Sequence, residues 1–309
     1  MKKVAFIFPG QGSQSIAMGK DFFENYEIAK DMISKASERL GINFEELLFE
    51  ENDNLSKTEF TQPAILLVSC IATEIFKDKY NIKPQFQLGH SLGEFSALVS
   101  AGAIDYLDAI ELVHKRGLFM KEACSNRNAG MMAIVGLDDS TVEEICKEER
   151  EKNKQVWAAH YNIDGQLVLA GIKDDLESLV ERFKEAGAKR ALVLDMNVAS
   201  HCELLESAVE NLKPYLEEYL NDEFEPVVSN VTTEKYNSKE DAIELISSQL
   251  TEPVKYKQSI LNNSEVDAFI EFGNGIVLKG LNRKINRKIP TYNVSDTKTL
   301  EKTIEALNE

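Results

Sequence analysis

The residues with the clearest chemical potential form the pentapeptide Gly89-His90-Ser91-Leu92-Gly93, which has the pattern G-x-S-x-G. In this pattern the two glycines let the chain turn sharply between a strand and a helix, and the serine is exposed on the strained turn. The N-terminus of a following helix also favours developing negative charge. Ser91 is therefore a candidate nucleophile, and an ordinary tight turn is the alternative.

A serine hydroxyl is a weak nucleophile at neutral pH and needs a general base. The chain has four histidines. His90 neighbours Ser91 and is expected to point away from it, in a packing role. His114 falls within a predicted helix and His160 near a predicted strand end, where either suits a structural histidine. His201 lies C-terminal to the serine, in the order used by sheet-based serine hydrolases, and is the candidate base by elimination.

A glycine-rich turn over residues 8–14, with the sequence FPGQGSQ, follows the first apolar segment. Open α/β sheets place their binding sites at this end of a strand. The turn lacks the Gly-Lys-Ser/Thr ending of a phosphate loop. The backbone N–H of Gln11 could instead pair with that of Leu92 as an oxyanion hole, each donor being worth about 3 to 4 kcal/mol in the transition state. A simple turn is the alternative.

The elements that must position these residues alternate between strands and helices. The unbroken apolar run Val4–Phe8 predicts a central parallel strand buried on both faces. Apolar spacing and helix-start residues predict the other elements. These are a helix over 63–79 that begins at Pro63, a strand over 86–88, a helix after Gly93, a helix capped by Asp105, and strands over 227–230 and 268–272.

Between residues 128 and 197 the pattern changes to strand, helix, two strands, helix and strand, which is the ferredoxin-like order. Such a unit can bury its own sheet against two helices. The sequence therefore predicts an α/β fold with a hydrolase-like parallel-sheet core domain, formed by residues 1–127 and 198–309. An inserted ferredoxin-like α+β subdomain is expected over residues 128–197.

The composition restricts the possible partners and the compartment. The 309 residues include 35 basic and 52 acidic ones, and the formal charge of -17 argues against nucleic acid or an anionic membrane as partner. The N-terminal apolar run is too short for a signal peptide, and no later stretch is expected to approach a membrane span. Four cysteines without a CxxC pair are typical of reduced thiols. We expect a cytoplasmic protein.

Several short segments form a pattern that extends over nearly the whole chain. They are residues 8–14, Thr61-Gln62-Pro63-Ala64, 89–94, Arg116-Gly117 with Met120, Ser200-His201, Gln249-Leu250 with Pro253, and 273–278. Together they resemble the malonyl-CoA:acyl carrier protein transacylases of bacterial type II fatty acid synthesis. The resemblance includes the ferredoxin-like insert.

The resemblance implies an acyl-carrier-protein S-malonyltransferase. Such an enzyme moves malonyl from malonyl-CoA to the phosphopantetheine thiol of acyl carrier protein and supplies fatty acid elongation. The implied mechanism is ping-pong, through a malonyl-serine on Ser91 with His201 as base, and needs neither metal nor cofactor. The amides of Gln11 and Leu92 would form the oxyanion hole, and Gln249 would orient His201. We expect a monomer.

The resemblance also assigns Arg116 to the free malonyl carboxylate, in a bidentate pair that the guanidinium fork matches and lysine does not. From the residues alone, a surface ion pair with Glu111 or Glu122 is the alternative. The residues expected to line the substrate pocket are Gln62, Met120, Asn162 and Val198.

Three segments depart from the usual family pattern. Asn274 replaces a proline, and residues 162–166 read NIDGQ instead of NSPGQ. Residues 198–201 read VASH, which is similar to the methylmalonyl form in polyketide acyltransferases. A trans-acting acyltransferase of a polyketide synthase is therefore one alternative function. A serine acyl hydrolase that uses the same turn is another.

One basic stretch stands out in this acidic chain, because residues 273–295 contain no Asp or Glu. Its basic residues have spacings that place them on one or two adjoining faces of a helix. They are Lys279, Arg283, Lys284, Arg287 and Lys288. Since acyl carrier proteins are acidic, this stretch is a candidate docking patch, and a solvated basic face is the alternative.

Overall fold

The computed structural model describes residues 2–196 and 198–309, which contain two β-sheets. The strands are β1 (Val4–Phe8), β2 (Phe86–Gly89), β3 (Ala129–Val135), β4 (Val156–Ile163), β5 (Gln166–Ile172), β6 (Arg190–Val193), β7 (Glu223–Val228), β8 (Lys235–Ser238), β9 (Ala268–Phe272) and β10 (Thr291–Val294).

Helices connect these strands and cover both sheets. They are α1 (Lys20–Asn25), α2 (Glu27–Leu40), α3 (Phe44–Phe49), α4 (Thr58–Lys79), α5 (Gly93–Ser100), α6 (Tyr106–Cys124), α7 (Asp139–Arg150), α8 (Lys173–Ser178), α9 (Val180–Glu185), α10 (Glu206–Tyr219), α11 (Lys239–Gln249), α12 (Tyr256–Asn262), α13 (Val277–Ile285) and α14 (Thr297–Asn308).

The larger sheet has the strand order β10-β9-β1-β2-β7-β8, and all neighbours are parallel except β7 and β8. All five residues of β1 are buried, as expected of a central strand covered on both faces. Phe8 is the register partner of Gly89. The carboxyl ends of β1 and β2 therefore meet at one edge of the sheet, beside the end of β7.

The smaller sheet is antiparallel, with the order β4-β5-β3-β6. It has its own core, in which Ile134 of β3 packs with Val142 of α7 and Phe183 of α9. The α/β class with a ferredoxin-like second sheet is confirmed. The domain limits stay predictions, and Met1 and Asn197, which bound two of the predicted segments, lie outside the described residues.

Some elements differ from the sequence prediction. The second helix expected in the ferredoxin-like segment is the pair α8 and α9, which meet at Leu179. Strands β8 and β10 were not predicted, because these short segments at the sheet edges, KYNS and TYNV, lack an apolar run. The predicted cap is confirmed, since the Asp105 side chain accepts a hydrogen bond from the Leu107 amide (2.8 Å).

Helix α4 begins at Thr58, so the prediction that it starts at Pro63 was wrong. Proline has no N–H, and the carbonyl of Glu59, four residues earlier, therefore loses its helical donor. His114 of α6 replaces that donor, because its Nδ1 lies 2.7 Å from the Glu59 carbonyl oxygen, which can only accept. The helix continues through the proline because a neighbouring helix satisfies the freed group.

Helix α4 also tests the expectation that no stretch of the chain approaches the length and apolar character of a membrane span. The helix has 22 residues, and an 18-residue window of it has a mean hydropathy of 1.3, which is long and apolar enough to cross a membrane, so the expectation was wrong by length and composition. However, 89% of the apolar window is buried inside the protein. The helix packs as a core element between the larger sheet and α6.

The hydrogen bond at Pro63 predicts a coupling between two distant positions. We expect His114→Leu to lower the free energy of unfolding by about 1 to 3 kcal/mol, because the buried Glu59 carbonyl is left unpaired. In a Pro63→Ala background the new N–H can donate to that carbonyl, and the same change should cost less than half as much. Urea unfolding of the four proteins measures this cycle. Equal costs in both backgrounds would show that His114 stabilises the fold in another way.

Candidate active site

The turn between β2 and α5 holds Ser91 in a left-handed backbone conformation, with φ 52°. The turn is tight enough to exclude side chains at both glycines. A Cβ on Gly89 would lie 1.8 Å from the carbonyl carbon of Gly93, and a Cβ on Gly93 would lie 2.0 Å from the Phe8 oxygen. These approaches seat the turn against β1 and lift the Ser91 side chain above the sheet edge, as the G-x-S-x-G pattern predicts.

His201 is the histidine that hydrogen-bonds to Ser91. Its Nε2 lies 2.7 Å from Ser91 Oγ, and its Nδ1 lies 2.6 Å from the backbone carbonyl oxygen of Gln249. Because that carbonyl can only accept, Nδ1 carries the hydrogen and Nε2 is free to accept one from the serine. Burial and the nearby Arg116 cation lower the pKa of His201 to about 3, so the ring is neutral at pH 7.

The other histidines near the site have partners of their own. His90 Nε2 lies 2.8 Å from the Asn162 side-chain oxygen. The His160 ring packs edge-on against His90 and His201, with ring centroids 5.0 and 5.1 Å apart. Burial lowers the pKa of both His90 and His160, which keeps them neutral. The His160 ring packs between the rings of His90 and His201 and so limits the movement of the His201 ring.

The glycine-rich turn after β1 lies directly against the turn that carries Ser91. A Cβ on Gly10 would come within 2.3 Å of the His90 carbonyl oxygen. Among the described residues, the backbone amides of Gln11 and Leu92 donate to no protein acceptor. Two amide donors are thus available beside the serine, where an oxyanion hole requires them.

Arg116 is only 2% exposed. Its Nη1 donates to the Gln62 side-chain oxygen (2.8 Å), and its Nη2 donates to the side-chain oxygens of Gln249 (3.2 Å) and Ser91 (3.3 Å). The alternative of a surface ion pair is wrong, since Glu111 instead pairs with Arg39. Within the described residues, Arg116 Nε has no hydrogen-bond partner. The buried cation therefore keeps one unpaired donor.

A cavity of about 440 Å³ opens over these groups. Ser91, Arg116, Met120 and Asn162 line it, whereas Gln62 and Val198 are not among its lining residues. Gln62 acts on the cavity indirectly, through its hydrogen bond to Arg116. In the described part of the chain, no cluster of three or more His, Cys, Asp or Glu side chains could hold a metal ion.

Asn230 is a site residue that the sequence argument missed. Its side-chain oxygen accepts the Ser91 backbone N–H (2.7 Å), and its Nδ2 donates to the Gly89 carbonyl (2.7 Å). It therefore holds both ends of the strained turn. The available signal was its position just after β7, because parallel strands end at the same edge of the sheet.

The acyl transferase domain family matches residues 5–288. A malonyl CoA-acyl carrier protein transacylase of Bacillus subtilis is 41% identical over 313 residues, covering 100% of this chain and 98% of the relative. The chain belongs to the malonyl CoA-acyl carrier protein transacylase family. The family and the enzyme class expected from the sequence, acyl-carrier-protein S-malonyltransferase, are confirmed.

Solved structures agree with this membership. The Helicobacter pylori malonyl-CoA:acyl carrier protein transacylase is 45% identical, with a TM-score of 0.95 over 100% of this chain and 99% of that one. A second structure holds a malonyl-transacylase in complex with its type II polyketide synthase acyl-carrier protein. That transacylase is 35% identical, with a TM-score of 0.94 over 98% of this chain and 99% of its own.

The basic stretch of the transacylase borders the cavity, because Val277, Leu278 and Leu281 of α13 line it. The expectation of one helix for all five basic residues was wrong. The helix ends at Ile285, since Asn286 has an extended backbone with φ -145° and ψ 97°. Lys279, Arg283 and Lys284 lie on the helix, and Arg287 and Lys288 follow it.

The five basic side chains also differ in their surroundings. Lys279 is half-buried and donates to the Asn293 side-chain oxygen (2.9 Å). The other four, Arg283, Lys284, Arg287 and Lys288, are exposed. The exposed basic side chains therefore lie on, and just after, the helix that borders the cavity.

Proposed function

We propose that the transacylase moves malonyl from malonyl-CoA to the phosphopantetheine thiol of an acyl carrier protein, by a ping-pong mechanism through a malonyl-serine on Ser91. The observation that carries this proposal is the distance of 3.3 Å between Ser91 Oγ and Arg116 Nη2 in one cavity. A nucleophile beside a buried cation suits a short acyl group that ends in a carboxylate. Arg116 would bind that carboxylate with its fork.

In the first half-reaction, His201 Nε2 accepts the Ser91 proton while Oγ attacks the thioester carbonyl carbon. The carbonyl oxygen becomes an oxyanion, which the amides of Gln11 and Leu92 stabilise. The C–S bond then breaks, and His201 returns the proton to the sulfur of coenzyme A. The Gln249 carbonyl holds the imidazole in the required tautomer throughout.

The second half-reaction reverses these steps with another thiol. His201 accepts the proton of the carrier thiol, whose sulfur attacks the malonyl-serine carbonyl carbon. When the C–O bond breaks, the proton returns to Ser91. Attack by water would instead make the protein a hydrolase, so the fate of the malonyl-serine separates these functions. Parallel assays with fatty-acid and polyketide carriers separate the two carrier classes.

We also propose that the transacylase acts as a monomer in the cytoplasm and supplies fatty acid elongation.

Malonyl-CoA alone should add one malonyl mass to the protein at Ser91, because the ping-pong scheme stores the acyl group before the acceptor arrives. Intact-protein mass spectrometry, followed by peptide mapping, measures the label. Adding carrier protein should remove it with formation of malonyl-carrier. Equal labelling of a Ser91→Ala variant would show that the nucleophile is another residue.

Replacing Arg116 with Ala should cost about 2 to 4 kcal/mol in kcat/KM with malonyl-CoA and little with acetyl-CoA, because only malonyl presents a carboxylate. Arg116→Lys keeps the charge without the fork and should recover part of the loss. Acetyl-CoA acts as the internal control for folding. Equal losses with both substrates would make Arg116 a scaffold residue.

We propose that the carrier protein docks on the basic stretch. Changing Arg283 and Arg287 to Glu should raise the apparent KM for carrier protein and flatten its salt dependence, because electrostatic steering is screened within about 8 to 10 Å. Loading of Ser91 should stay near the parent rate. The same charge reversal at Lys30 and Lys35, exposed on α2, is the control. If the variant with Glu at positions 283 and 287 transfers malonyl to carrier protein as fast as the parent at low salt, the carrier protein docks on another surface.

A further inference from the structure

A buried carboxylate that the proposed mechanism does not use lies beneath the Ser91 turn. Glu94, in the first turn of α5, is 0% exposed. Its Oε1 accepts the Tyr236 hydroxyl (2.9 Å). Its Oε2 accepts the Gln249 side-chain amide (2.8 Å) and the Asn230 backbone N–H (3.2 Å). A buried carboxylate with three donors is too costly to be incidental packing.

Glu94 reaches the catalytic pair through Gln249. The Gln249 side chain donates from Nε2 to Glu94 and accepts at Oε1 from Arg116 (3.2 Å). A guanidinium has only donors and a carboxylate only acceptors, so these two groups fix which way the amide points. The backbone carbonyl of the same residue holds His201 Nδ1 (2.6 Å).

The same hydrogen-bonded groups also link the positive charge of Arg116 to the negative charge of Glu94. Arg116 is a buried cation with no carboxylate in salt-bridge range among the described residues, and its side-chain hydrogen bonds go to neutral groups. Glu94 is the negative group that favours the charged form of Arg116. The Gln249 amide separates the two charges and connects them by hydrogen bonds. Without substrate, Glu94 therefore balances the Arg116 charge only in part.

We propose that Glu94 is a positioning residue of this acyltransferase, which fixes Gln249 and balances the Arg116 charge until a substrate carboxylate takes over that role. This inference rests on the proposed function, because it requires an acyl carboxylate at Arg116. Two carboxylates would then share one buried cation. The Glu94 side chain is expected to relieve the repulsion by taking up a proton as substrate binds.

The burial of Glu94 determines whether it gains or loses a proton when substrate binds. Desolvation raises the pKa of Glu94 to about 7, so a large part of it is ionised at pH 7.5 in the empty site. A second anion raises the pKa further and draws a proton in. The other titratable groups that face it do not change charge at this pH. Burial lowers the pKa of Arg116 to about 10 and that of His201 to about 3, and burial raises the pKa of Tyr236 well above its usual value.

Binding can be measured without chemistry in a Ser91→Ala protein. Isothermal titration calorimetry at pH 7.5, in buffers of different ionisation enthalpy, should reveal uptake of a fraction of a proton with malonyl-CoA and none with acetyl-CoA. The acetyl-CoA titration corrects for the phosphates of coenzyme A. Absence of this difference in a protein that prefers malonyl-CoA would overturn the inference.

Adding Glu94→Gln should abolish the proton uptake and increase the preference for malonyl-CoA over acetyl-CoA by about tenfold. The reason is that Arg116 then interacts with the substrate carboxylate alone and not also with the Glu94 carboxylate. This change can keep the hydrogen bonds, because the new oxygen accepts from Gln249 and Asn230 and the new amide donates to the Tyr236 oxygen. Unchanged uptake in this variant would show that another group takes the proton.

The control is Ser96→Ala, on the same helix. Ser96 is 1% exposed, and its hydroxyl has no partner in the described part of the chain. This variant should keep both the proton uptake and the preference for malonyl-CoA. If it also loses the proton uptake, the inference is overturned, because the loss then reflects general damage to α5. Equal affinity of the Ser91→Ala protein for both thioesters, without uptake, would instead contradict the proposed function.

Discussion

The constraint on which the site depends is the burial of Arg116, whose guanidinium cannot shed its proton at physiological pH. A buried charge must be hydrogen-bonded and balanced, or its desolvation would destabilise the fold. Helix α4 supplies Gln62 and helix α11 supplies Gln249, which hold the guanidinium from two directions. Since Gln249 also carries the carbonyl that orients His201, the cation and the base share one support. A displacement of α11 would therefore disturb both groups together.

The second constraint is backbone strain at the two residues that we propose to react. Ser91 and His201 have φ values of 52° and 60°, in the left-handed region that costs a non-glycine residue about 1 to 3 kcal/mol. Strain of this size persists only where the surroundings leave no alternative. Asn230 holds the serine turn, and the parallel register of β1 and β2 places the glycine-rich turn against it. Packing of the sheet thus helps to fix the distance of 2.7 Å between Ser91 Oγ and His201 Nε2, the proposed nucleophile and base.

Much of the fold could be predicted from the sequence because local signals dominate it. The limits of β1 and β9 were predicted correctly, since apolar runs bounded by polar residues or turns mark buried strands. The Ser91 turn was found from its glycines. The roles of Asn230 and Glu94 could not be read locally, because their hydrogen bonds join residues 136 to 155 positions apart in the chain. A proline similarly suggested the wrong helix start, because the compensating donor, His114, lies on another helix.

Among the described residues no carboxylate hydrogen-bonds to His201, and the electrostatics indicate why a thioester enzyme can work in this way. Burial, and after it the Arg116 cation, lowers the pKa of His201 and so weakens it as a base before substrate binds. Under the proposed function, a malonyl carboxylate on Arg116 cancels part of that positive charge, and the basicity of His201 rises. A substrate without a carboxylate leaves the base weak. Selectivity for malonyl would then act at the chemical step as well as in binding, because the substrate completes the charge balance that the reaction needs.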